Sequence, residues 1–95
     1  MNLHNLHTDT KGVSAVPLFK NEHTATVAIQ LLKDEVLKEH ITKVPALLVC
    51  VLGAVIFKNE KNEDRKLLPG DYIEIEPMVK HWLKGVVSSQ LVLVK

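Results

Sequence analysis

The chain of 95 residues has little of several residue types that would place it in a specialised class of protein. Its single cysteine, Cys50, excludes an intramolecular disulfide and lies within the apolar run ALLVCVL. A cysteine in such a run is typical of a buried core position, because a reactive thiol needs an open and electropositive setting. Without a cysteine pair, a signal-peptide pattern or a lipidation motif, we expect a cytoplasmic protein.

The sequence also lacks an excess of one charge and a long hydrophobic segment. Its 12 basic and 11 acidic residues are interspersed and give a net charge of +1, so neither nucleic acid nor an anionic membrane is an expected partner. The longest apolar stretch, Ala46 to Phe57, covers twelve residues, fewer than the roughly 20 of a membrane-spanning helix. The composition therefore predicts one soluble globular domain.

What the sequence does contain is a series of short apolar segments separated by turn residues. The segment Thr24 to Leu32 (TATVAIQLL) places alternate apolar residues on one face, Asp71 to Glu76 (DYIEIE) alternates isoleucine with charge, and the chain ends LVLVK. A period of two residues indicates β-strands. The proline, glycine and serine residues between these segments suit turns.

A helix from Val27 to Ile41 is the alternative, since its Ala, Leu, Lys and Glu residues favour helix and Thr24 or Thr26 could cap it. At about 100 degrees per residue, however, its apolar side chains would surround the helix axis completely. A surface helix of a small domain needs a single apolar stripe. Breaking the segment at the charged triplet KDE gives two strands, which we predict instead.

The run Ala46 to Phe57 predicts a central strand buried on both faces, with Gly53 allowing a bend midway. The charged segment Lys58 to Lys66 is expected to form a solvated hairpin loop. Pro69 and Gly70 then suit the central positions of a turn that sends the next strand back antiparallel. Together these segments predict an all-β sandwich or barrel.

The most specific pattern is LLPGDYIEIEPMVKHW, near the end of the chain. Its glycine–aspartate turn at Gly70, alternating strand and histidine eleven residues after the glycine, His81, resemble the second motif of the cupin superfamily. Three departures from that motif are present. Pro77 is displaced by one position, Met78 replaces the usual glycine, and Gly85 takes the place of the usual asparagine.

The first cupin motif consists of two histidines with one residue between them, a glutamate after three or four further residues, and a glycine after six more. At this spacing the chain has His40, Thr42, Ala46 and Gly53, with Asp34 upstream where the family has glycine. Two of the four side chains that bind metal in the family are therefore replaced.

The resemblance covers roughly residues 36–95 and implies an all-β fold, a double-stranded β-helix or jelly-roll barrel of antiparallel strands. We predict a single cupin-like barrel domain over residues 13–95, preceded by a flexible tail over residues 1–12. The opening segment VSAVPLF, residues 13–19, is expected to supply an edge strand, because a proline cannot donate to a sheet ladder.

In the cupin metal centre that the resemblance implies, three histidines and one glutamate point into the barrel and bind Fe, Mn, Ni, Zn or Cu. Here His40 and His81 would be retained, while Thr42 and Ala46 stand in the other two positions. Stable sites usually need at least three protein ligands, so a divalent transition metal is a cofactor candidate only through an incomplete motif. Glu74 is a conceivable replacement ligand, but the pattern DYIEIE leaves open which face points inward.

Three functions are compatible with this pattern, and we expect the first. An apolar barrel with an incomplete metal motif would bind a small organic ligand. A metal-dependent cupin enzyme, of dioxygenase or isomerase type, is one alternative. The other, implied by the resemblance, is a metal-free sugar-nucleotide epimerase or isomerase that uses His40 or His81 as base and Tyr72 as acid.

The remaining aromatic and histidine residues suggest surface roles. Trp82 follows His81, and adjacent strand residues face opposite ways, so Trp82 is predicted to point out of the barrel. As an exposed aromatic it is a candidate contact of a homodimer, which we expect to form through a sheet face or the N-terminal strand. His4 and His7 in the tail and His23 in the segment NEHT are expected to be at the surface.

Overall fold

The computed structural model describes residues 1–8 and 11–95, and in these residues the ordered elements are one short 3-10 helix (Leu3–Leu6) and nine β-strands. The strands are β1 (Val13–Lys20), β2 (Ala25–Leu31), β3 (Val36–His40), β4 (Ala46–Leu52), β5 (Val55–Asn59), β6 (Asp64–Leu67), β7 (Tyr72–Ile75), β8 (His81–Gly85) and β9 (Ser89–Val94). Within the described ranges no helix is long and apolar enough to span a membrane. The predicted all-β fold is confirmed.

The strands form two antiparallel sheets that face each other. The five-stranded sheet has the order β1-β2-β9-β4-β7 and the four-stranded sheet the order β3-β8-β5-β6. Because alternate side chains of each strand point to the same face, the two inner faces enclose one hydrophobic core. It is built mainly from Ile29, Leu31, Leu48, Cys50, Val55, Phe57, Leu67, Ile75, Leu83, Leu91 and Leu93. This arrangement is a jelly roll.

The segment from Val27 to Ile41 forms two strands, as predicted, and not a helix. β2 ends at Leu31 and β3 begins at Val36, in different sheets. Between them Asp34 has a φ of 65°, a conformation that aspartate tolerates better than most residues. Its amide donates to the carbonyl of Gly85 at 2.8 Å, which fixes the turn against the end of β8.

The prediction of a single central strand over Ala46 to Phe57 is wrong. The chain breaks at Gly53, whose φ is 89°, so that β4 lies in one sheet and β5 in the other. A β-carbon at Gly53 would lie 2.6 Å from the carbonyl of Ser88. Glycine is therefore needed at position 53. Side-chain burial alternates along most of β4, because only one face of this strand meets the core.

The predicted loop over Lys58 to Lys66 is also shorter than expected. Lys58 still belongs to β5 and pairs with Asp64 at the start of β6, so only a tight connection separates the two strands. The side-chain oxygen of Asn59 accepts the amides of Lys61 and Glu63 and shapes that turn. Charged residues form strands here because one face of this hairpin is in water.

The turn predicted at Pro69 and Gly70 is present. Gly70 has a φ of 93°, and the amide of Asp71 donates to the carbonyl of Leu68 at 2.8 Å. These features are those of a turn with proline second and glycine third. The turn carries the chain from β6 in one sheet to β7 in the other.

The described part of the N-terminal segment packs on the outside of the five-stranded sheet. His7 is buried, and its Nδ1 lies 2.7 Å from Oγ of Ser14 on β1. The expectation that His7 lies at the surface is wrong for this reason, whereas His4 and His23 are exposed as predicted.

Candidate functional site

Two histidines that are 41 positions apart in the sequence meet between the sheets. His40 ends β3, His81 begins β8, and the two residues are direct partners in the antiparallel pairing of these strands. A register shift between Leu37 and His40 marks a bulge in β3, a feature that redirects side chains. The ring centroids are 4.0 Å apart in an edge-to-face arrangement. The two imidazoles therefore meet inside the barrel, as predicted.

The two rings differ in their access to solvent. His81 is only 2% exposed and stacks against Phe57, with ring centroids 5.8 Å apart. His40 is partly exposed. We call these two residues the histidine pair, with His81 as its inner and His40 as its outer member.

Backbone carbonyls fix the tautomer of both rings. Nδ1 of His40 lies 2.9 Å from the carbonyl oxygen of Lys38, and Nδ1 of His81 lies 3.3 Å from that of Val79. A carbonyl only accepts hydrogen bonds, so each Nδ1 carries the hydrogen. In the neutral rings each Nε2 is consequently left with its lone pair, available to accept a hydrogen bond or to bind a metal.

Burial lowers the pKa of His81 below its ordinary value of 6.5, and the neighbouring charge of His40 lowers it further. The hydrogen bond to the carbonyl of Val79 acts in the opposite direction without reversing the effect. At neutral pH His81 is therefore a neutral acceptor.

The space around the histidine pair inside the barrel is almost filled. The cavity there measures about 10 Å³, which is close to the minimum for a single water molecule. Its other walls are apolar side chains, namely Ile29, Leu37, Leu48, Ile75, Leu83 and Leu93. The interior of the barrel is thus a packed core with two imidazoles in it.

His40 also faces an open depression on the outside of the barrel, which we call the His40 depression. It measures about 410 Å³ and is otherwise lined by Val13, Val36, Leu37 and Lys38. Ligand sites commonly measure about 300 to 1,000 Å³. His40 and Leu37 line both this depression and the interior cavity, so they separate the closed side of the site from the open side.

The other two positions of the cupin metal motif do not supply ligands. Thr42 is buried with its hydroxyl oxygen unpartnered, and Ala46 presents a methyl group to the core. Among the described residues no group of three or more His, Cys, Asp and Glu side chains is placed to hold a metal ion. Two imidazoles, with threonine and alanine in the other two motif positions, do not fit the four-ligand centre.

The two other candidate residues lie away from the histidine pair. Tyr72 is 67% exposed, and Glu74, two residues further along β7, is exposed on the same outward face. Ile75, the next residue of β7, is buried and points into the core. This resolves the orientation that the alternating pattern left open, and it places neither Tyr72 nor Glu74 at the cavity around the two imidazoles.

Some features of the site carry no sequence signal. The carbonyls of Lys38 and Val79, which fix the tautomers, belong to the backbone, and any residue type could supply them. Val13 reaches the His40 depression from the opposite sheet. An alternating pattern predicts which side chains share a face but not which strands become neighbours.

The two sheets form a jelly roll of the cupin type, with the paired histidines between them. No protein-family model matches the chain, and no curated protein matches it significantly. Known structures nevertheless superpose on nearly all of it. A cupin superfamily protein from Desulfitobacterium hafniense DCB-2 does so with a TM-score of 0.85 over 98% of this chain and 84% of its own, at 12% sequence identity.

Two further solved structures show the same similarity. An RmlC-like cupin family protein with a double-stranded β-helix fold from Methanocaldococcus jannaschii gives a TM-score of 0.80 at 21% identity, over 94% of this chain and 84% of that one. KdgF from Halomonas sp. gives 0.79 at 19% identity, over 92% and 82%. At these identities the comparison shows the cupin fold, and function has to be argued from the site.

Proposed function

We propose that this cupin-domain protein binds a small organic ligand in the His40 depression, at the mouth of the barrel. The observation that carries this proposal is the contrast between the two sides of His40. The inner side offers about 10 Å³ and the outer side about 410 Å³. A ligand larger than a water molecule therefore has room only on the outer side.

The lining of the depression indicates the kind of ligand. Val13, Val36 and Leu37 provide apolar walls, while His40 and Lys38 provide the polar groups. Apolar walls with a few placed polar groups are typical of sites for small organic molecules. We expect a mainly apolar compound with one polar group that hydrogen-bonds to the imidazole of His40.

The two enzymatic alternatives have less support. A metal-dependent reaction would need ligands where Thr42 and Ala46 stand, and an acid–base reaction of the epimerase kind would need Tyr72 near an imidazole. Tyr72 is on the outward face of β7, while His81 is enclosed in the core. Ligand binding requires none of these groups.

A fragment screen by ligand-observed NMR tests the proposal. At least one fragment that binds the wild-type protein should lose most of its signal with His40→Ala, because the variant removes the imidazole of the depression. The matched control is His23→Ala, because His23 is exposed and does not line the His40 depression. Equal binding to the His40→Ala variant, or no binding by any fragment, would refute the proposal.

We also infer a homodimer that forms through the edge strand β1. Among residues 1–8 and 11–95, β2 is the one strand that pairs with β1, so within these ranges the other edge of β1 has no strand partner. Near its end Phe19 is 61% exposed and Leu18 is 42% exposed. Exposed aromatic and aliphatic side chains at a free strand edge are typical of subunit contacts.

A cytoplasmic location is part of the same proposal. Cys50 is a free buried thiol, and its pKa is raised by burial and by the negative charge of Asp71. Small domains of oxidising compartments are commonly stabilised by disulfides, and this chain has one cysteine. Fluorescence imaging of the tagged protein with a compartment marker tests the inference.

A further inference from the structure

The outward face of the four-stranded sheet combines apolar and basic side chains in an ordered array. Cross-strand neighbours on one face of a sheet lie side by side. The pairing places Val36, Lys84, Ile56 and Lys66 in one row across the four strands. The next row, across three of them, contains Trp82, Lys58 and Asp64. We call this array the Trp82 face.

Trp82 points outward, as predicted from its position after His81. It lines a surface cavity of about 460 Å³ together with Val36, Ile56, Lys58, Asp64 and Lys84. The cavity is within the size range of small-molecule sites. The indole offers a flat apolar surface there, and the aliphatic part of each lysine extends that surface.

The charge of the face is positive. It carries three lysines, Lys58, Lys66 and Lys84, and one acid, Asp64. Lys58 and Asp64 are 3.7 Å apart, and theirs is the only ion pair that the described residues form within this array. Lys84 follows Trp82 by two residues on the same face of β8 and lines the cavity with it. Lys58 keeps donors beyond its contact with Asp64, because an ammonium has three hydrogens. With three lysines and one acid, the array has two positive charges in excess.

We propose that the Trp82 face binds a planar organic anion, such as an aromatic carboxylate, with its ring on the indole and its acidic group at Lys84 and Lys58. Ring stacking on tryptophan requires a flat partner. The two lysines on neighbouring strands require negative charge next to that ring. A ligand with both properties complements the cavity in shape and in charge.

A second copy of the chain complements this face less well. The sequence makes Trp82 a candidate subunit contact, and a two-fold interface would place the face against itself. Lysines would then oppose lysines, with two excess positive charges on each side, and juxtaposed like charges cost several kcal/mol. An anionic ligand meets the same charges favourably.

This site is independent of the His40 depression. The two share Val36 at their border, but the polar groups differ, since one uses the imidazole of His40 and the other uses Lys58 and Lys84. Binding at one can fail while binding at the other succeeds. The resonances of the indole and of the imidazole distinguish the two sites.

The test uses 2-naphthoate as the probe and 2-naphthamide as its uncharged control. Trp82 is the only tryptophan, so the single indole N–H resonance reports this site alone. We expect 2-naphthoate to shift that resonance saturably and to bind at least about twofold more tightly than the amide. Lys84→Ala and Lys58→Ala should each weaken binding about two- to fivefold, as for exposed charge pairs. Lys43→Ala, which removes an exposed lysine from the loop before β4, should leave binding unchanged.

Three results would overturn the inference. The first is an indole resonance that 2-naphthoate does not shift saturably. The second is equal affinity for the amide and the carboxylate, or equal affinity in the lysine variants and the wild type. The third is an indole resonance that shifts with protein concentration in the absence of the probe, because a second copy would then occupy the face. The lysine variants alter exposed side chains, so a loss of binding in them would not come from a loss of folding.

Discussion

The strongest prediction concerns the buried histidine of the pair and the pH dependence of stability. His81 is 2% exposed, and burial and the charge of His40 lower its pKa below 6.5 in the folded protein. In the unfolded chain the ring is in water and takes the ordinary value. Between the two pKa values the unfolded chain binds a proton that the folded protein does not bind. The free energy of unfolding must therefore rise with pH in this window.

The sign and size follow directly. The contribution of His81 is fully present above about pH 6.5 and is lost as the pH falls toward the pKa of the folded protein. One proton gives a slope of at most about 1.4 kcal/mol per pH unit, and each unit of pKa lowering adds about 1.4 kcal/mol to the total loss. Domains of this size have about 5 to 15 kcal/mol in all, so the effect is measurable.

Urea unfolding of the wild type and of His81→Leu between about pH 7.5 and pH 5 checks this prediction. The leucine keeps the site filled and apolar but cannot be protonated. The unfolding free energy of this variant should therefore rise less steeply with pH, by up to about 1.4 kcal/mol per pH unit. His23→Leu is the control, because the side chain of His23 is 87% exposed and its ring stays in water in both states. If His81→Leu kept the whole wild-type slope, the buried imidazole would not be its source.

Three further predictions concern the metal motif, the turn glycines and the dimer. The double variant Thr42→His, Ala46→Glu restores the four-ligand set and should bind Ni²⁺ or Mn²⁺ stoichiometrically and more tightly than the wild type by calorimetry. If it bound these ions no more tightly than the wild type, positions 42 and 46 would not face the two imidazoles. Gly70 has a φ of 93° and open space around it, so Gly70→Ala should lower the free energy of unfolding by about 1 to 2 kcal/mol. Gly53→Ala should lower it by about 1 to 3 kcal/mol more, because its β-carbon would also meet Ser88 and Ser89. Urea unfolding measures both losses. Equal costs would refute the packing argument. Phe19→Glu should shift sedimentation from dimer to monomer, and an unchanged sedimentation coefficient would exclude β1 as the interface.

Strand alternation was sufficient to find most elements, and it failed where the chain changes sheets. The alternation in DYIEIE located β7, and the crowded helical projection of residues 27–41 correctly favoured strands. The run from Ala46 to Phe57 misled because a continuous apolar run fits both a doubly buried strand and two half-buried strands joined at a glycine. Only the crossing from one sheet to the other at Gly53 distinguishes these two cases.

The candidate site divides in the same way. The spacing of His40 and His81 relative to the two motif glycines predicted a meeting of the imidazoles, and the structure brings their centroids to 4.0 Å. The spacing did not predict that the space around them would be filled, because packing also depends on side chains from four other strands, β2, β4, β7 and β9. Room for a ligand is a property of the assembled walls.

The sequence by itself determined the strand-forming segments, the turn at Gly70, the outward direction of Trp82 and the two histidine positions. These follow from local rules, since the pleat alternates every residue and glycine alone adopts positive φ at little cost. The tertiary structure decided which edges and faces remain open, where His40 meets solvent, and how lysines from β5 and β8 gather beside the indole. Such contacts join residues far apart in the chain, and they exist only once strand neighbours and register are fixed.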